Sequence, residues 1–334
     1  YAGSNDGLYL QNYGPGFVDA LKADRMSLYT ADLLRSAFFI VVIAAVLWLY
    51  TQKRLAQNTA IILVGILMIF DLFFVDKKYV SGKDFMNGRE VAAPFQETPA
   101  DIQILRDPSN YRVFEVSGNL SSARASYFHK SLGGYHAAKP RRIQQLFDYQ
   151  IAKNNIEVLD FLNVKYIIQT DKEGKEFPTV NPNANGNAWF VSQVKAVASA
   201  DEEMKALDKF DSKNVAIVNT KEFTIQNKNF VKDASAVITL DAYKPNHLTY
   251  TSTNTNAGLA VFSEMYYAKG WKAYVDGKET PIYRADYVLR AIEIPAGKHQ
   301  LEFKFEPQVV QTGSLIALVS SIGMLLLLVG GIYI

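Results

Sequence analysis

The stretch Ser314-Leu-Ile-Ala-Leu-Val-Ser-Ser-Ile-Gly-Met-Leu-Leu-Leu-Leu-Val-Gly-Gly-Ile-Tyr-Ile334 contains no charged residue. A helix needs about 20 such residues to cross a hydrocarbon core of roughly 30 Å. Buried helices of globular proteins rarely run so long without a charge, so this stretch reads as a membrane span. Residues 33–50 and 59–75 have the same character, with one charge each, Arg35 and Asp71. The short polar turn at 51–58 joins them, which predicts an antiparallel helical hairpin. Ahead of it, Val18, Leu21, Arg25, Leu28 and Asp32 recur at helical spacing with charges interleaved, the pattern of an interfacial helix over residues 17–34. The expected organisation is an interfacial segment and helix at 1–32, a transmembrane hairpin at 33–75, a polar insertion, and a C-terminal transmembrane helix at 308–334. Tyr1 is not an initiator methionine, and no signal-peptide pattern opens the chain. The segment is therefore expected to be the C-terminal portion of a longer polytopic protein.

Composition sets further bounds. The 334 residues carry 35 Lys+Arg against 33 Asp+Glu, a formal charge of +2, which excludes a nucleic-acid binder relying on a broad cationic field. Cysteine is absent, which removes thiol catalysis, CxxC redox chemistry, Cys-type zinc sites and disulfide scaffolds. Charged residues make up 20%, below the roughly 25% of soluble domains, and the deficit lies in the three apolar stretches.

The insertion between the second and third spans divides by pattern. Over 76–222 strands and helices alternate: strands at 111–116, 164–169 and 215–219, helices at 141–147 and 156–162, and a capping box at Ser199-Ala-Asp-Glu202 opening a helix to about Phe210. Residues 182–187 form a loop. Over 223–307 the pattern changes to short alternating strands at 236–240, 248–253, 260–265, 271–275, 288–294 and 300–306. In the last of these Leu301, Phe303 and Phe305 face one way and the charged residues the other. Asp276-Gly277 marks a hairpin turn, and Gly297 marks another. Six short strands at regular spacing predict a small β-sandwich, ended by Pro307.

No GxxxxGK[ST], HExxH, GxSxG or GxGxxG motif occurs, and the four histidines do not form a metal-ligand set. The candidate binding residues are His129, Lys130, Tyr135, His136, Lys139, Arg141 and Arg142, which stand close together around Gly133-Gly134. Paired glycines permit tight turns whose amides face an anion, and Arg and Lys supply charge-assisted donors to phosphate. The competing reading is a solvated basic loop. Asp71 is the acid inside an apolar run, and intramembrane ionisable residues are expensive and inward-facing. Pairing with Arg35 on the neighbouring helix is its structural reading; a proton path in a transporter is the functional one. Asp24, Arg25, Asp32, Arg35 and Asp71 would together line a membrane-proximal cavity. Tyr266, Tyr267 and Trp271 suit either a sugar platform or the core. Lys53 and Arg54 on the hairpin turn, with no acid, suit a cytoplasmic position, but Lys22, Arg25, Arg35, Lys77, Lys78 and Lys83 flank the other side, and a strict positive-inside count favours the opposite orientation. Long domains translocate largely regardless of charge, so composition alone does not settle the side.

Several longer motifs occur in a recognisable order. They are Asp24-Arg25-x-x-Leu28-x-x-x-Asp32-x-x-Arg35-Ser36, then Lys77-Lys78-Tyr79 and the run from Ser126 to Arg142, then Leu162-Asn-Val-Lys-Tyr-Ile-Ile168. Phe262-Ser-Glu-Met-Tyr-Tyr-Ala-Lys-Gly-Trp271, Val275-Asp-Gly-Lys278, Arg284-Ala-Asp-Tyr287 and Ile294-Pro-Ala-Gly-Lys-His299 follow. Over nearly its whole length the chain resembles the bacterial membrane protein YfhO family. Pro140 departs from that pattern, which has a helix-compatible residue there, and it delays the start of the next helix.

The resemblance implies similarity to the GT-C glycosyltransferases, which use a polyprenyl-phosphate sugar donor on the extracytoplasmic face. It therefore implies a multi-pass protein of the bacterial inner membrane, a membrane protein fragment with residues 76–313 outside: three transmembrane α-helices, an extracytoplasmic α/β region, then the β-sandwich. The expected partners are the lipid bilayer, a lipid-linked sugar and an envelope glycan or polymer acceptor, and not nucleic acid. No cofactor is evident beyond that donor, and the need for a divalent metal is left open. GT-C enzymes carry their catalytic acid in their first external loop, which this segment does not include. The rival function is non-catalytic binding or assembly of an envelope polymer.

Overall fold

The computed structural model describes residues 3–333. Tyr1, Ala2 and Ile334, which the sequence reading assigns to the first and last segments, lie outside the described residues. The chain divides into two compact units, Tyr1–Pro94 and Phe95–Ile334.

The first unit contains α1 (Asp6–Tyr13), α2 (Pro15–Thr51), α3 (Gln57–Tyr79) and the short α4 (Gly88–Ala92). The expected interfacial helix at 17–34 is not a separate element. It is the N-terminal half of α2, which runs unbroken for 37 residues, because neither Gly nor Pro occurs between Phe17 and Thr51 to interrupt the ladder. Pro15 stands at the first turn, where its missing N–H costs nothing. At 1.5 Å per residue α2 is about 55 Å long, well beyond the roughly 30 Å hydrocarbon core. Arg25 of α2 holds Asp6 of α1 at 2.8 Å. In the hairpin of α2 and α3 Arg35 lies 3.3 Å from Asp71 on the neighbouring helix and 2.9 Å from the exposed Asp32 on its own. Asp24 is exposed. Apolar side chains point outward along both helices, with Ile69 71% exposed.

The second unit contains helices α5 (Pro99–Ile104), α6 (Ala123–Phe128), α7 (Arg141–Tyr149), α8 (Ile156–Phe161), α9 (Ala200–Ala206) and α10 (Gln308–Tyr333). Among the described residues three helices, α2, α3 and α10, are long and apolar enough to cross a membrane. Fourteen strands form three sheets. The first joins β1 (Arg112–Glu115), β2 (Val164–Thr170) and β3 (Glu176–Val180). The remaining strands are β4 (Ala188–Val191), β5 (Gln193–Val197), β6 (Val215–Asn219), β7 (Val237–Lys244), β8 (His247–Asn254), β9 (Gly258–Met265), β10 (Trp271–Val275), β11 (Lys278–Thr280), β12 (Tyr283–Ala285), β13 (Leu289–Ile294) and β14 (Gly297–Phe305). A five-stranded sheet has the order β11-β10-β14-β8-β7, and a six-stranded sheet the order β4-β9-β13-β12-β6-β5.

The six strands expected after residue 223 are present as β7, β8, β9, β10, β13 and β14, and the β10–β11 hairpin turns at Asp276-Gly277 with Val275 opposite Lys278. The expected β-sandwich region is thus a β-rich region of several sheets. The six-stranded sheet also crosses residue 223: from the α/β side of that boundary β4 pairs with β9 and β6 with β12, and β5 extends the sheet beside β6. The reason lies in β9 and β13, whose side chains are buried on both faces. Leu259, Val261, Leu289 and Ala291 enter one core with helix residues Leu146, Val158 and Phe161. Ala260, Phe262, Ile292 and Ile294 enter the other with Leu248, Tyr250, Leu301 and Phe303 of the five-stranded sheet. In this second core Tyr250, Phe262 and Phe303 meet edge to face, with centroids 4.9–6.0 Å apart.

The Arg35–Asp71 contact makes a testable demand on the hairpin. Arg35→Leu leaves the Asp71 carboxylate without its cation and is expected to destabilise the protein in nanodiscs by about 1–3 kcal/mol. Adding Asp71→Leu should recover most of that loss. Thermal unfolding of the two variants checks this, and equal loss in both would mean the pair does not act as a unit.

A cationic cavity beside the Gly133-Gly134 turn

The candidate loop is built on β1. Residues 130–132 run alongside that strand: Val113 N–H donates to the Lys130 carbonyl at 2.9 Å, and Leu132 N–H to the Val113 carbonyl at 2.8 Å. The chain then turns at Gly133, where a Cβ would stand 2.2 Å from the Asn119 carbonyl oxygen, so only glycine fits. Gly134 follows at φ +144°. The loop ends at Pro140, which forms the N-cap of α7, so the helix begins at Arg141.

Here the structure corrects an expectation. The two glycine amides do not face an anion. Gly133 N–H donates to Ser131 Oγ at 3.1 Å, and Gly134 N–H to the Leu120 carbonyl at 3.2 Å. The turn instead shapes a cavity of about 510 Å³, whose wall includes Arg112, Ser126, Tyr135, His136, Lys139 and Met265 and no carboxylate. Lys139 is half-buried and has no carboxylate within ion-pair distance among the described residues. His136 Nδ1 accepts from the Ala138 N–H at 3.0 Å, which leaves Nε2 as the donor in the neutral ring. Arg112 is partly committed, since it donates to the Leu162 carbonyl at 2.8 Å and lies 3.7 Å from Glu264. Its remaining hydrogen-bonding capacity and the Lys139 ammonium give the wall a cationic character.

The other predicted residues are dispersed. His129 is 2% exposed at its side chain, with Nε2 2.8 Å from Asp101 Oδ1. Asp101 is fully buried and also accepts from Thr98 N and Oγ at 2.8 Å and from Arg124. That cluster ties α5, α6 and β1 together, because Arg124 lies 3.5 Å from Glu115. Lys130 donates to Asn110 Oδ1 and sits 3.3 Å above the Tyr243 ring, where burial lowers its pKa. His129 and Lys130 border a separate cavity of about 360 Å³ with Tyr111 and Tyr243. Arg142 donates to Glu203 Oε2 and to the Tyr287 carbonyl, each at 3.2 Å, and its guanidinium covers the Tyr287 ring. Arg141 is exposed on the first turn of α7 and does not border the cavity. Of the seven residues, Tyr135, His136 and Lys139 share the cavity. Trp271 is packed under the Arg290 guanidinium at 3.9 Å, and Tyr266 against Phe223, whereas Tyr267 is 55% exposed.

Several buried polar groups escaped the sequence reading. Glu203, fully buried on α9, accepts from Arg142 and from Arg284, each at 3.2 Å, and Arg284 also reaches Glu222 at 2.8 Å. Asp286 is fully buried at φ +49°, with Oδ1 accepting from the Ile217 N–H at 2.8 Å. Burial pushes its pKa up to about 8. The available signals were the capping box that opens α9 and the Arg284-Ala-Asp-Tyr287 motif, but neither indicates burial by itself. No group of His, Asp and Glu suited to a metal ion occurs among the described residues.

The Asp286 shift predicts a pH dependence. Its folded pKa lies above its unfolded value, so its contribution to stability is fully present below the ordinary aspartate range and is lost as pH rises through about 8. Asp286→Asn keeps the acceptor for Ile217 and cannot ionise. Its melting temperature, compared with that of the unaltered protein, should gain steadily from pH 5 to pH 8. A constant difference across that range would show that Asp286 does not titrate there.

Residues 202–317, from α9 into the start of α10, match the family model described as bacterial membrane protein YfhO. That segment contains Glu203, Arg284, Asp286 and Met265 but not the Gly133-Gly134 turn. No curated protein and no solved structure matches the chain.

Proposed function

For a chain that belongs, through residues 202–317, to the YfhO family of bacterial membrane proteins, we propose a part in glycosyl transfer of GT-C type. In this reading the protein works with a polyprenyl-phosphate sugar and a cell-envelope glycan or polymer at the bacterial inner membrane. The observation that carries it is the cavity of about 510 Å³ whose wall offers Lys139, His136 and Arg112 and no carboxylate. An uncompensated half-buried ammonium favours an anion, and a lipid-linked phosphate supplies one. The role of the cavity is to bind and orient: Lys139 Nζ and His136 Nε2 donate to phosphate oxygens, and the Tyr135 ring flanks the sugar. The same wall has no carboxylate, so in this reading the carboxylate that would act as general base toward an acceptor hydroxyl lies outside it. That absence also favours the second reading, non-catalytic binding or assembly of an envelope polymer. Donor turnover by the reconstituted protein separates the two.

Binding tests the cavity directly. Polyprenyl monophosphate titrated into the protein in nanodiscs should bind Lys139→Ala about 10- to 100-fold more weakly than the unaltered chain, the scale of one charged hydrogen bond, about 1.5–3 kcal/mol. Lys172→Ala, in the exposed β2–β3 turn, should have no effect. Unchanged binding by Lys139→Ala would end the phosphate reading.

The reading also sets an orientation. If α2 and α3 both cross the bilayer, their outer ends emerge on one side, and the reading requires that side to be extracytoplasmic, with Lys53 and Arg54 inside. The chain has no cysteine, so introduced thiols report without background. Lys172→Cys should react with an impermeant maleimide in intact cells, and Lys53→Cys only after permeabilisation. The reverse pattern would invert the topology.

A further inference from the structure

A second cavity, of about 310 Å³, shares no wall residue with the first. The segment at 227–238 closes it, and that segment is firmly held. Val194 N–H donates to the Lys228 carbonyl and Phe230 N–H to the Ser192 carbonyl, each at 2.8 Å, which lays residues 228–230 along β5. Lys232 Nζ donates to Asn214 Oδ1 at 2.7 Å. Asp233 accepts from Ser235 N and Oγ through one oxygen and from Thr255 N and Oγ through the other, at 2.6–2.9 Å. These bonds fix the segment to the β8–β9 turn, so the chamber is preformed.

The wall combines aromatic surface from Trp189, Phe190 and Phe230 with polar groups of Asn254, Asn256 and Lys232. Asn254 is 4% exposed. Its amide nitrogen donates to the Asn256 and Pro295 carbonyls at 2.7 Å, and its Oδ1 is buried without a donor among the described residues. The polar groups an occupant can reach are the exposed side chains of Asn256 and Lys232, which a purely apolar occupant would strip of water. Charge in the wall is mixed, with Lys213 and Lys232 beside the Asp233 carboxylate, which suits a neutral ligand with both donors and acceptors better than a dianion. A sugar ring has what remains: hydroxyls that both donate and accept, and C–H faces that lie on aromatic rings.

We propose that this chamber binds one neutral sugar residue of a glycan, with Asn256 and Lys232 donating to its hydroxyls and Trp189 or Phe230 against the ring face. The inference extends the envelope-glycan part of the reading above and does not depend on phosphate binding at Lys139.

The test uses the whole chain in nanodiscs and a panel of methyl hexosides and methyl N-acetylhexosaminides, read by saturation-transfer NMR and by tryptophan fluorescence. At least one glycoside should bind with a dissociation constant of about 0.1–10 mM. Ala236→Trp fills the chamber from its outer wall and should weaken that glycoside at least about tenfold, while polyprenyl monophosphate binding is retained. Asn256→Ala combined with Lys232→Ala removes the two donors assigned to the sugar and the Lys232–Asn214 bond, while the Asp233–Thr255 bonds still hold the segment, and should weaken the glycoside about three- to tenfold. Lys139→Ala should leave glycoside binding unchanged. The proposal is overturned if no glycoside binds at about 10 mM, if the Asn256→Ala, Lys232→Ala protein binds as the unaltered chain does, or if Lys139→Ala abolishes glycoside binding and so moves the sugar to the other cavity.

Discussion

The pairing of β9 with β13 is the constraint from which the rest of the second unit follows. Both strands are apolar on both faces, and each fully buried Val, Leu, Ile or Phe contributes about 1.5–3 kcal/mol when removed from water. A strand pair of this kind needs cover above and below. The helices α7, α8 and α9 supply it on one side, and the five-stranded sheet on the other. The pair also needs neighbours at its edges, which is why β4 joins β9 and β12 joins β13. β4 precedes the β-rich segment in sequence, so the middle sheet draws strands from both halves of the insertion.

This layering decides where charge can go. Arg142 and Arg284 converge on Glu203, and Arg124 and His129 on Asp101. Such buried sets give little net stability, because desolvation of each ion offsets most of the attraction. They do fix which elements meet, since removing one partner strands the other. The same geometry removes cations from the surface. A basic stretch that looks continuous along the chain is divided between two internal networks, and Tyr135, His136 and Lys139 are what remain at one cavity.

The two cavities differ in the charge of their walls more than in their size. Arg112 and Lys139 stand in one with no acid, while in the other the Asp233 carboxylate stands beside Lys213 and Lys232. The contrast gives each a different preferred ligand chemistry: an anion for the first, and a neutral, hydroxyl-rich ring for the second. Both are held by hydrogen-bonded turns, so neither has to be assembled by its ligand, and little of the binding free energy goes to ordering the chain.

The sequence by itself determined the membrane helices, because twenty apolar residues in a row are a local property that needs no partner. It determined the six later strands as well, since alternation such as Leu301, Phe303 and Phe305 is written along one segment, and the turn at Asp276-Gly277. It located the Gly133-Gly134 region as a place of tight turning. The pairing of Arg35 with Asp71 across the hairpin was legible too, as the structural reading of an acid inside an apolar run. Only the tertiary structure decided that α2 is one helix, continuous from its N-terminal half into its apolar half. It also decided which cations of the basic loop are spent on Glu203 and Asp101, and it buried Asp286. The physical reason is distance. Arg142 and Glu203 are 61 positions apart, as are few pairs that a local pattern can record. Helix and strand periodicity is carried by neighbours three, four or two residues away, while the partner of a buried charge is set by how whole layers stack.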